Sequence, residues 1–87
     1  PAHGPALTVP RRVIEHYISH RLAREAKVLD ALERQAAPVA VRDLVPLAYD
    51  DVAPRVWPLA ERSTQAHLLT LEREGRALVR DGLWSAP

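Results

Sequence analysis

Apolar residues in the first third of the chain recur at helical spacing and fall into two groups. Val13, Ile14, Tyr17 and Ile18 form the first, followed by Leu22, and Val28, Leu29 and Leu32 form the second. Steps of three and four residues put each group on one side of a helix. Pro10 suits a helix's first turn, and neither Gly nor Pro follows until Pro38, so the pattern predicts one helix from about Pro10 to Gln35. At 1.5 Å per residue it spans roughly 39 Å, more than packing on one small core requires. Arg21, Arg24, Glu25 and Lys27 separate the groups and read as a solvated middle. Greasy ends around a wet centre predict a bridge between two bodies.

Downstream the pattern shortens. Ala36-Ala37-Pro38 ends the helix, and Val39-Ala40-Val41 has the composition of a very short strand. A second helix is expected from about Arg42 to Tyr49, with Asp43 placed to favour its N-terminal dipole. Pro46 is tolerated there only near the first turn and otherwise kinks the helix. Asp50, Asp51 and Pro54 mark a loop, and Pro58 opens a third helix running to Glu74 and stopping at Gly75. The period then changes from helix to strand. Ala77–Arg80, the turn Asp81-Gly82 and Leu83–Ser85 predict a hairpin with a type I′ turn, in which both central residues need positive φ. The fold class is therefore mainly α: a winged helix-turn-helix of three helices and a C-terminal β-hairpin wing, entered through a long bridging helix.

Composition narrows the function. The 87 residues carry 12 Lys+Arg and 11 Asp+Glu for a net charge of +1, with 47% hydrophobic and 26% charged residues, which excludes a disordered charged tail. Cysteine is absent, so disulfides and thiolate–zinc sites are excluded. No apolar run approaches membrane-spanning length and no signal peptide is visible, so a cytoplasmic location with no membrane partner is expected. The opening Pro1-Ala2-His3-Gly4-Pro5 has loop chemistry, and with no Met anywhere the chain reads as the back end of a longer protein.

A winged helix suggests nucleic acid, with the third helix in the major groove. Residues 36–87, however, hold six arginines against seven acids, a balance of −1. Nucleic-acid readers present a basic face because phosphate neutralisation supplies most of their affinity. A winged fold used for packing is the reading that fits this charge, with a nucleic-acid-binding module as the alternative and a dimerisation domain as a third. His16 and His20 stand four apart on one helix and could share a cation, but no third ligand lies in register and Arg21 and Arg24 would repel it. His67, between Ala66 and Leu68, reads as a partly buried histidine bonded to backbone. His3 sits on a stiff loop of the kind that holds ligands, although spacing alone does not make it one. Ser63, Thr64 and Ser85 lack a His and an acid at nucleophile spacing, and no glycine-rich phosphate loop occurs. These residues alone are expected to be catalytically inactive.

Several motifs in order resemble a known family. Pro1-Ala2-His3-Gly4-Pro5, Tyr17-Ile18-Ser19-His20-Arg21, Arg24-Glu25 and Val28-Leu29 are followed by Leu44-Val45 with Tyr49. Pro58-Leu59-Ala60, Ala66-His67-Leu68 and Leu71-Glu72-Arg73-Glu74-Gly75 complete the series. Together they resemble the C-terminal part of metallo-β-lactamase-fold hydrolases that carry a β-lactamase-associated winged-helix domain, a branch that includes a mitochondrial endoribonuclease. The resemblance implies that residues 1–9 end the catalytic domain, 10–35 form the bridging helix and 36–87 form the winged helix. It implies that His3 occupies the late-histidine position of a two-metal, usually zinc, centre, with Ala2 replacing the family's glycine. The other ligands, including a His-x-His-x-Asp-His run, lie outside this sequence. The implied reaction is attack by metal-bound water on an ester, thioester or phosphodiester. The implied partner is the protein's own catalytic domain, with RNA a further partner of the parent. The exposed Val13–Ile18 surface would otherwise favour a homodimer through the first helix.

Overall fold

The computed structural model describes residues 8–87. Its elements in order are α1 (Arg11–Glu33), α2 (Val41–Ala48), a single 3₁₀ turn (Pro54–Val56), α3 (Trp57–Arg73), β1 (Leu78–Arg80) and β2 (Leu83–Ser85). This is the expected winged helix, mainly α with a hairpin wing.

Each boundary has a local cause. The first turn of α1 closes on the Pro10 carbonyl, which accepts from the Val13 and Ile14 amides. Gln35 Nε2 donates to the Ala31 carbonyl at 2.9 Å near the other end, supplying the helix's unpaired acceptors. At the start of α2 the Asp43 carboxylate accepts from the Ala40 amide at 3.1 Å. Pro46 lies within α2 rather than in its first turn, one residue deeper than the expected start at Arg42 implied. The helix persists because Leu44, Val45 and Ala48 are buried on one side. Trp57 rather than Pro58 opens α3, its indole Nε1 donating to the Tyr49 and Val52 carbonyls. At the far end, Arg76 N donates to Leu71 O and Gly75 N to Glu72 O, a Schellman motif that uses the positive φ of Gly75 (75°).

The wing closes on Asp81 (φ 53°) and Gly82 (φ 77°), both in the left-handed region that a type I′ turn demands. Leu78 pairs with Ser85, Val79 with Trp84 and Arg80 with Leu83. The short strand expected at Val39-Ala40-Val41 contracts to one residue. Val39 and Trp84 exchange both backbone hydrogen bonds, at 2.9 and 2.7 Å, while Val41 already belongs to α2. Trp84 turns inward to join Val28, Leu32, Leu44, Leu68, Leu71 and Ala77 in a single core. The second half of α1 contributes four residues to that core: Val28, Leu29, Ala31 and Leu32.

Candidate docking interface

The chemistry of this chain concentrates along one side of α1. Ile14, Arg21 and Val28 stand seven apart, as do Tyr17, Arg24 and Ala31, and likewise Ile18, Glu25 and Leu32. A helix drifts only ~20° over seven residues, so each trio forms a column on the same side. Three tiers result. Val28, Ala31 and Leu32 are buried against α2 and α3. Arg21, Arg24 and Glu25 form a charged tier above them. Ile14, Tyr17 and Ile18 form an apolar tier beyond that, and with Val13 and Leu22 they stand 46 to 66% exposed.

Within the charged tier Arg21 is exposed, but Arg24 and Glu25 are not the solvated residues that composition suggests. The Arg24 and Glu25 side chains keep only 12% and 13% of their exposure. Arg24 donates from Nη1 to Asp51 Oδ1 at 2.7 Å and from Nη2 to Asp51 Oδ2 at 3.0 Å, a bidentate pair with directional strength. Nη1 also donates to the Ala48 carbonyl at 2.6 Å, and the guanidinium carbon lies 4.4 Å from the centre of the Tyr49 ring. The hydrogen bond from Arg24 holds the Asp51 carboxyl down at about 2. Lys27 pairs with Asp50 on the outer side and lowers that carboxyl's pKa as well. The α2–α3 loop is thus tied to the middle of α1.

Glu25 is tied to α3. Its Oε1 lies 3.1 Å from His67 Nδ1, and the His67 side chain is 10% exposed. His67 is therefore partly buried as expected, but its partner is a carboxylate from another helix instead of backbone. The physical reason is position: α3 turns Thr64, His67, Leu68 and Leu71 toward α1, and His67 meets the charged tier rather than the core. Sequence reasoning missed this pair and the Arg24–Asp51 clamp. The seven-residue columns signal that Arg24 and Glu25 lie in line with the buried Ala31 and Leu32, but not which residues they meet.

The remaining candidates do not assemble into a site. The His16 and His20 rings lie 6.3 Å apart on exposed helix surface, and among the described residues no three His, Asp or Glu side chains gather around a cation position. His3 lies outside the described residues. Thr64 is buried and donates to the Ala60 carbonyl at 2.9 Å. The outward side of α3 alternates Glu61 with Arg62 and Glu72 with Arg73, all exposed, giving no basic stripe for phosphate. Among the described residues no helix is long and apolar enough to cross a membrane.

Three helices around one core, closed by a two-stranded wing and its Val39 bridge, define a winged helix. Residues 40–84 match the β-lactamase-associated winged-helix domain, and the chain belongs to that family. It is also similar to the Beta-lactamase-like protein 2 homolog of Drosophila melanogaster, 34% identical over 80 residues. That alignment covers 91% of this chain and 27% of the relative, so the chain spans about a quarter of the relative's length.

Proposed function

We propose that this chain is the C-terminal part of a metal-dependent, dizinc hydrolase of metallo-β-lactamase fold. In this reading the winged helix packs on the catalytic domain through α1 and walls one side of its substrate cleft. The observation that carries it is the bare Ile14–Tyr17–Ile18 tier, which continues a helix side buried farther along the same helix. The family supports the kind of neighbour, and the relative's length supports its size. A domain that precedes this chain would meet α1 first, at its bare end.

The described residues hold no metal-ligand cluster, so no catalytic step is assigned to them. When bound, the metals would supply an activated water for an ester, thioester or phosphodiester. His3 would contribute one ligand, and residues outside this sequence would contribute the rest. The 87-residue chain alone would then be inactive, and the longer protein cytoplasmic, with RNA among its candidate substrates. The test deletes residues 36–87 from the longer protein. The reading expects altered relative turnover of ester, thioester and phosphodiester substrates. Unchanged preference and turnover contradict it.

A further inference from the structure

One residue of the charged tier of α1 has no polar partner among the described residues. Arg24 is held by Asp51 and the Ala48 carbonyl, and Glu25 by His67. Arg21 is exposed and makes no hydrogen bond or ion pair among the described residues. Glu25 lies one turn along the helix from it but is engaged by His67. Resting on the docking proposed above, we infer that Arg21 is the polar anchor of that interface and that the docked domain presents a carboxylate to it.

The columns require this. Arg21 stands between Ile14 and Val28 on one line, with Tyr17 and Ile18 one turn before it. A surface that covers Ile14, Tyr17 and Ile18 closes over Arg21 as well. A guanidinium cannot release its proton, and covering it without an acceptor is strongly unfavourable. A carboxylate matches its fork with two parallel hydrogen bonds, as Asp51 does for Arg24 in the same tier. The apolar tier supplies contact area and tolerates sliding. A bidentate pair fixes distance and direction, so Arg21 sets the register at which the catalytic domain and winged helix meet.

The test compares the 87-residue chain with the longer protein, each dilute enough to be monomeric, by amide hydrogen exchange across residues 13–22. Exchange in the wild type should be slower in the longer protein. Arg21→Met should remove roughly tenfold or more of that added protection. Arg21→Glu should remove more, by facing one carboxylate with another, and Arg21→Lys should retain part. Urea unfolding of the 87-residue chain should be nearly the same for all three variants, because Arg21 is exposed and makes no hydrogen bond or ion pair among the described residues. Equal wild-type exchange in both proteins overturns the docking itself and this inference with it. Loss of protection with Ile14→Glu but none with Arg21→Met leaves docking standing and overturns the role of Arg21. Equal losses for Arg21→Met and Arg21→Glu overturn the carboxylate.

Discussion

The two halves of α1 carry the same apolar spacing on the same side, and only one half is covered. Val28, Leu29, Ala31 and Leu32 sit in the core, whereas Val13, Ile14, Tyr17 and Ile18 stand in solvent. Periodicity therefore says which side of a helix is meant to be covered, but not what covers it. The tier between the halves carries that information. There Arg24 finds its counter-charge on the α2–α3 loop and Glu25 a hydrogen-bond partner on α3, while Arg21 finds neither among the described residues.

The sharpest contrast is in stability. Leu32→Ala opens a cavity beside Val28, Leu44 and Leu68 and should cost about 2–5 kcal/mol in urea unfolding. Ile14→Ala in the 87-residue chain should stay within about 0.5 kcal/mol. A large loss at Ile14 would mean that the two halves are not different in kind. Next in size is His67→Ala, which leaves the Glu25 carboxylate shielded without its partner and should cost about 1–3 kcal/mol. A His67→Ala variant as stable as wild type would show that the charged tier does not tie α1 to α3.

Association provides the third contrast. The isolated chain should form dimers through α1 at high micromolar concentration, because an exposed apolar patch seeks cover. The double variant Ile14→Glu/Ile18→Glu should sediment as a monomer at the same concentration. A strictly monomeric wild type, or a dimer indifferent to those charges, would remove α1 from self-association. The smallest effect concerns acid. The Asp51 pKa is depressed to about 2 by Arg24, so its contribution is present above the ordinary carboxylate range and is lost as pH falls toward 2. Asp51→Asn should make stability less dependent on pH between about 4 and 2 than wild type. Parallel profiles would show that the clamp does not contribute in solution.

Much of this fold was legible because its signals are local. Asp81-Gly82 specified the wing's turn, Gly75 the end of α3, and the two apolar groups the length of α1. Non-local pairings were not legible in the same way. Val39-Ala40-Val41 reads as a short strand able to pair, but its contact with Trp84 is one residue long and joins residues far apart in sequence, so neither its partner nor its extent shows in the pattern. Glu25 and His67 are 42 residues apart, so nothing in the spacing announces their contact. Charge composition argued correctly for a mixed surface on α3, yet it misread the middle of α1, because it counts charges without showing which ones meet.

The most direct test of the account uses the chain's two tyrosines as reporters of the two regions. Tyr17 is 66% exposed on the bare half of α1, and Tyr49 is 8% exposed beneath Arg24. In nitration of the dilute 87-residue chain, Tyr17 should react readily and Tyr49 slowly. In the longer protein Tyr17 should become as slow as Tyr49, with Tyr49 unchanged. Equal reactivity of Tyr17 in the two proteins would contradict the claim that a neighbouring domain covers this side of the helix.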